Sequence, residues 1–193
     1  SERLYSSTLT ETRDLAEAMK KEEEEKKRIL NELNSALNSR NTDKLLDIMR
    51  SDFFKDKLAV DTPAYYSVFG DPINSGYGII IYDDKNIYSG SLADNGMKNG
   101  MGIQFQIIDN AIEQGWNYYL GEWNHDIPSG WGKAAEAIKK TADGITQIHL
   151  TITEGTYENG LEAGLMHKYF YIDGEEAGNI SYTANAGVPE PLL

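Results

Sequence analysis

Tyr119-Leu120-Gly121-Glu122-Trp123, followed by Gly130-Trp131-Gly132, is the stretch whose reading decides the fold. Its alternation has the period of a strand, so Tyr119, Gly121 and Trp123 share one face. Trp116, Tyr118, Leu120 and Glu122 fall on the other. Gly130 and Gly132 read as the glycines that close a turn, where positive φ and close passage of neighbouring backbones are required. An aromatic such as Trp123 can fill the volume above the small residues of the next hairpin.

The pattern recurs along the chain. A looser copy lies upstream, at Tyr88, Gly90, Gly96, Gly100 and Gly102, and another downstream, at Gly155, Tyr157, Gly160 and Gly164. Gly76 and Gly78, after Tyr65 and Phe69, read as a worn first copy. Self-similarity at this period signals stacked units, none of which can bury its apolar face alone. The strands between turns follow. Ile79 to Tyr82 and Ile87-Tyr88 flank Asp83-Asp84-Lys85-Asn86. Ile103 to Ile108 and Trp116 to Trp123 flank Asp109 to Gly115. Ala134 to Ile138 and Ile145 to Tyr157 flank Thr141 to Gly144. His167 to Ile172 and Asn179 to Thr183 flank Asp173-Gly174. The tail, Ala186 to Leu193 with Pro189 and Pro191, lacks ladder donors and is expected to be extended coil.

The N-terminal segment reads as helix. Thr8 and Glu11 have the spacing of a capping box, and Leu15, Met19, Ile29, Leu33, Ala36 and Leu37 form one stripe. Between Lys20 and Arg28 the stripe is interrupted by charge. There Glu22 precedes Lys26, Glu23 precedes Lys27 and Glu24 precedes Arg28 by four residues, the favourable helical orientation, worth roughly 0.3 kcal/mol a pair. A helix from about Leu9 to Asn38 results, serving either as an interaction stalk, with self-association one option, or as a spacer. A second helix starts at Asn41 or Thr42, with Leu45, Ile48, Met49, Phe53 and Leu58 on its buried side, and is expected to cap the open first end of the strand array.

The expected fold is therefore α+β. A helical arm and cap (1–58), with one long and one short helix, precedes an elongated antiparallel β-hairpin repeat sheet (59–185) and a tail (186–193). The charge divides the same way. Residues 1–58 carry 12 Lys and Arg against 13 Asp and Glu, residues 59–193 carry 6 against 18, and no arginine follows residue 58. Nearly all of the net charge of −13 thus sits on the β part. Nucleic acid and anionic membrane surfaces both demand cations, so neither is an expected partner. The chain has no Cys, which removes disulfides and thiolate chemistry. With the opening at Ser1, without an initiator Met, this gives an expectation of a bacterial protein, exported or in the cell envelope, trimmed of a targeting segment.

Tyr119-Leu120-Gly121-Glu122-Trp123 with Gly130-Trp131-Gly132 resembles a MORN repeat, whose pattern is a Tyr-x-Gly-x-aromatic strand followed by turn glycines. The copy at Tyr88 matches with one residue inserted before Gly96. The copy at Gly155 has Thr153 in place of the tyrosine and Met166 in place of the last glycine. The resemblance covers about residues 65 to 180 and implies a hairpin array. Functionally it implies scaffolds, membrane-associated platforms, accessory regions of enzymes or antitoxin-like proteins, and the acidic β part argues against lipid binding.

Motifs for catalysis are missing. His125, His149 and His167 lie in different hairpins without metal-ligand spacing, and His125 beside Asp126 reads as a solvated turn residue. Asp83-Asp84 and Glu175-Glu176 do not match a calcium loop. Nothing in the sequence selects a glycosidase carboxylate pair, a nucleotide-binding glycine loop or a nucleophile elbow. No catalytic residue, metal or cofactor is expected. Trp116, Tyr118, Trp131 and Tyr171 are the candidate binding aromatics, able to stack on sugars or anchor a protein, the alternative being ordinary core. The function expected is a scaffold or protein-interaction module. The alternatives are a carbohydrate-binding module and an antitoxin or immunity protein whose acidic sheet covers a basic partner.

Overall fold

A computed structural model describes residues 2–68, 70–73 and 75–190. Three helical segments precede ten strands: α1 (Glu2–Asn38), α2 (Thr42–Arg50), a π-helical turn (Phe54–Leu58), then β1 (Ala64–Tyr66), β2 (Gly76–Ile81), β3 (Asn86–Leu92), β4 (Lys98–Asp109), β5 (Gln114–Asn124), β6 (Ile127–Ala142), β7 (Ile145–Glu158), β8 (Leu161–Ile172), β9 (Glu175–Asn185) and β10 (Val188–Glu190). The strands form one open antiparallel sheet in sequence order, each hairpin-paired to the next. This is the expected α+β fold.

Turn chemistry sets the meander. His125-Asp126, Asp143-Gly144, Asn159-Gly160, Asp173-Gly174 and Ala186-Gly187 all have positive φ at both residues, the requirement of two-residue hairpin turns that match the twist of the flanking strands. Several tips also bond back to a neighbouring strand. Asp126 N–H donates to the Lys98 carbonyl at 2.9 Å and Gly160 N–H to that of Pro128 at 2.9 Å.

The motif glycines do something different from what their spacing predicts. Gly130 and Gly132 lie inside β6, not at a turn. Cross-strand pairing joins Gly78, Gly90, Gly102, Gly121, Gly132 and Gly155 into one row across β2 to β7, with Met166 and Tyr182 continuing it. Motif side chains lie over this row. A Cβ on Gly102 would fall 2.1 Å from the Tyr88 hydroxyl, and one on Gly132 2.4 Å from the Tyr119 ring. Gly100, Gly130 and Gly164 have φ of 95°, 100° and 74° and sit beside register shifts in the ladders. They are bulge residues.

One face of β2 to β6 is covered by helix. Ile79, Ile81, Ile87, Ile103, Phe105, Ile107, Tyr118 and Ala135 join Leu30, Leu33, Leu37, Leu45, Met49, Phe54 and Leu58 in one core. The helices thus cover a face of the array, where a cap on its first end was expected. A patch of inward apolar side chains five strands wide needs a layer above it, which an end cap cannot supply. Asn41 caps α2 by accepting from Lys44 N–H at 3.2 Å. Phe54, unassigned in the sequence reading, is fully buried, and Phe53 only partly so.

Further differences concern the chain ends. α1 begins at Glu2, so Thr8 is mid-helix, its hydroxyl donating to the Leu4 carbonyl at 2.9 Å. Of the expected ion pairs only Glu22–Lys26 forms, at 3.8 Å; Arg28 instead pairs with Glu25 and, at 2.7 Å, with Glu32. Leu15 and Met19 lie on the expected stripe, but every side chain from Glu2 to Lys21 is exposed. In the tail, Val188–Glu190 pairs with β9 as β10, Pro189 being tolerated on an edge strand. Phe69 and residues 191–193 lie outside the described residues. No described helix is long and apolar enough to cross a membrane.

Candidate functional site

The four candidate aromatics share the helix-facing side of the sheet by strand parity, but not one surface. Trp116 and Tyr118 stack on each other with centroids 5.8 Å apart, and Trp116 stacks on Phe105 at 6.1 Å. Tyr118 is only 8% exposed and belongs to the helix-covered core. Tyr118 is therefore a core side chain, and Trp116 is partly buried against that core beside Asp43, Leu46 and Arg50 of α2, so the pair does not form an open platform. Trp131 is 46% exposed, its N–H held by the Glu122 carboxylate at 2.5 Å. Tyr171 is half-buried beyond the helices, opposite Leu150.

The opposite face carries the motif rings. Tyr88 meets Trp123 edge-on at 5.7 Å, Trp123 meets Tyr119 at 4.9 Å, and Tyr119 meets Tyr157 at 5.2 Å. These contacts link three copies of the pattern in one edge-to-face ladder, each pair worth about 0.5–1.5 kcal/mol beyond burial. Their polar tips are occupied. Tyr88 donates to the Ser91 carbonyl at 2.8 Å, Tyr119 to that of Glu122 at 3.1 Å, and the Trp123 indole to that of Gly102 at 3.0 Å. Burial pushes the Tyr88 and Tyr119 phenols above their ordinary range, and burial with the Glu162 carboxylate pushes Tyr157 up to about 12.

Lys98 is enclosed beside this ladder. Its ammonium lies 4.3 Å from the Trp123 ring centroid and 5.4 Å from that of Tyr82, and it donates to Gln104 Oε1 at 2.6 Å. Burial lowers its pKa, partly offset by the Asp126 carboxylate. Tight enclosure by rings suits a cation. Nothing in the sequence pattern singled out Lys98, since lysine by itself carries no positional signal.

Next to the ladder is a cavity of about 470 Å³, lined mainly by two cross-strand rows. One is Gln104, Tyr119, Ala134 and Thr153; the other is Gln106, Asn117, Glu136 and Thr151. Neither row was legible beforehand, because register across four strands is needed to assemble it.

A third row, on the helix-facing side beyond the helices, runs Lys133, Glu154, His167 and Ser181. Lys133 pairs with Glu154 at 3.3 Å, and the Ser181 hydroxyl meets His167 Nδ1 at 2.7 Å. His167 Nε2 is sealed from solvent without a hydrogen bond. The neighbouring strand amides are committed to the ladder, so no free donors converge on Ser181 to stabilise an oxyanion. His125 is exposed in its turn. Among the described residues no group of three or more His, Asp or Glu is placed to hold a metal.

No protein-family model matches the chain, and no curated protein matches it.

Proposed function

We propose that the chain is a non-catalytic interaction module built on MORN-like hairpins, in which a helical arm meets a protein partner and the sheet anchors it. The MORN-like reading rests on the glycine row and on the rings that lie over it.

The observation that carries the proposal is the unpartnered half of α1. Its apolar stripe runs at helical spacing through Leu4, Leu15 and Met19, is broken by the charged run from Lys20 to Arg28, and resumes at Ile29, Leu33 and Leu37. The second half of the stripe is buried against α2, the π-helical turn and the sheet. Leu4, Leu15 and Met19 are 76%, 62% and 61% exposed. The exposed half projects about 30 Å from its support at 1.5 Å per residue, and a helix of that length without tertiary packing is only marginally stable in water. Covering three such side chains is worth about 5–8 kcal/mol before the entropy of association is subtracted. Arm and body are tied at the root, where Glu22 pairs with Lys57 at 3.4 Å and Glu32 with Lys44 at 3.8 Å. A partner on the arm is thereby held relative to the sheet.

The test is the full chain with Leu4→Glu, Leu15→Glu and Met19→Glu together. Light scattering measures self-association, and affinity capture from the source cells measures binding to other proteins. Wild type is expected to associate or to capture one protein reproducibly; the variant should lose this while its melting temperature stays within about 2 °C, since no core side chain changes. Equal behaviour of the two chains removes the arm from the proposal.

A further inference from the structure

The cavity on the helix-free face has the chemistry of a binding site, and we infer that it takes a neutral polyhydroxylated ligand, one or two sugar rings in size. The inference does not depend on the helical arm.

Its origin lies in the repeat. In the row next to the glycines, β3 carries Tyr88, β5 carries Tyr119 and β7 carries Thr153. The first two rings lie over Gly102 and Gly132. At the third copy a threonine stands where the pattern has a ring, the space over Gly155 is taken by Met166, and Ala134 beside it is small. With no ring at Thr153 and only a methyl at Ala134, side chains on this part of the face are short, and the cavity lies over them. A copy that had merely decayed would be expected to collapse or to line the gap with apolar side chains.

The lining is instead polar and idle. Gln106 and Glu136 are exposed at its rim and Asn117 and Thr151 half-buried, and among the described residues neither these four nor Thr153 makes a side-chain hydrogen bond or ion pair within the chain. Thr153 is only 7% exposed, and its hydroxyl faces the cavity without a partner. Among the described residues only His167 Nε2 is sealed and unpaired, so the Thr153 hydroxyl is reached by solvent through the opening, where a ligand group can replace that water.

The donor set selects the ligand class. An amide side chain both donates and accepts, as do threonine and sugar hydroxyls, so neighbouring ligand hydroxyls can be met on both counts. Glu136 adds an acceptor for two of them. No cation lines the cavity; Lys98 is enclosed by its rings, and the ammonium of Lys168, next to Thr153 in the row, sits 5.5 Å over the Tyr182 ring. Phosphates and carboxylates therefore lack a counter-charge. The backbone of β4 to β7 is paired on both sides, so a peptide cannot add as a strand here. Tyr119 and Trp123 close one end with apolar ring surface, suited to the C–H face of a sugar.

The experiment is saturation-transfer and chemical-shift NMR on the full chain with maltose, cellobiose, N,N′-diacetylchitobiose and lactose, each titrated to 20 mM, with glucuronic acid and inorganic phosphate alongside. At least one neutral disaccharide is expected to give saturable shifts centred on Asn117, Thr151 and Thr153. Thr153→Val with Asn117→Leu should weaken it at least tenfold. Ala134→Met, which fills the floor, should abolish it with the native spectrum otherwise retained. The arm variant Leu4→Glu/Leu15→Glu/Met19→Glu should bind sugar like wild type, which separates this inference from the proposed function. Absence of saturable binding by every neutral sugar overturns the inference, as does binding that the cavity variants leave unchanged or a preference for the anions.

Discussion

Replacing Gly102 by alanine tests the central packing device of the sheet. The added Cβ would meet the Tyr88 ring at 2.1 Å from its hydroxyl, 2.4 Å from Cζ and 2.5 Å from Cε2. Ordinary contact requires the ring to retreat by about 1 Å, yet Tyr88 is fully buried and held edge-on by Trp123. Overpacking of this kind costs about 1–3 kcal/mol, the disturbed aromatic pair about 0.5–1.5, and the Tyr88 bond to Ser91 about 1. The expected loss is therefore about 3–5 kcal/mol, read by urea unfolding followed by circular dichroism. In a Tyr88→Leu background the same substitution should cost less than about 1 kcal/mol, because the colliding ring is gone. A loss below about 1 kcal/mol in the wild-type background refutes the ring-over-glycine account. So does a full loss in the leucine background, which would place the collision elsewhere.

Gly174→Ala meets nothing within 4 Å but has φ of +83°, so it should cost only the left-handed penalty, about 1–2 kcal/mol; urea unfolding compares it with Gly102→Ala. Tyr88, Tyr119 and Tyr157 have raised pKa values in the folded chain, so they favour folding fully below the ordinary tyrosine range of about 10 and lose that contribution as pH rises through their folded values. Alkaline titration should show tyrosinate absorbance appearing together with loss of the far-ultraviolet spectrum above about pH 11, and free titration of these rings with the fold intact would contradict their burial. Lys98 has a lowered pKa, so the folded state binds fewer protons there than the unfolded one, and stability relative to Lys98→Met should increase as pH climbs from the folded value toward about 10.4. Thermal melts of the two chains between pH 7 and pH 10, as a rough working range, should diverge in that direction; parallel curves would show that the ammonium is solvated.

Much of the β architecture could be read from local chemistry. Asp173-Gly174 and the alternation of Tyr119, Gly121 and Trp123 are short-range signals, and each specifies a turn or a face without help from the rest of the chain. The same locality misled at Gly130 and Gly132, which look like turn glycines until the ladder shows them opposite Tyr157 and Gly155. Thr8-x-x-Glu11 has the form of a capping box, but the helix starts at Glu2, and the motif was overridden by the helix-forming residues before it. Alternation put Trp116 and Tyr118 on one shared face, while which face would be covered depended on where the helices dock, a long-range fact with no local signature.

The cavity escaped the sequence reading for a related reason. Thr153 was visible as a departure from the repeat at the tyrosine position, and on its own such a departure reads as wear. Its meaning depends on Gln106, Asn117, Glu136 and Thr151, which come from four strands and share a row only through the register. A repeat sheet lays the same ring at the same place in each copy; at the copy that omits it Met166 covers Gly155, and the short side chains of Thr153 and Ala134 leave the surface over them open. Gln106 and Glu136 are exposed and Asn117 and Thr151 half-buried, so their polar groups stay hydrated and can exchange that water for ligand hydroxyls. Polar side chains around an opening in an otherwise ring-packed face are what the proposed sugar would meet, and the cavity variants Thr153→Val with Asn117→Leu and Ala134→Met test that reading.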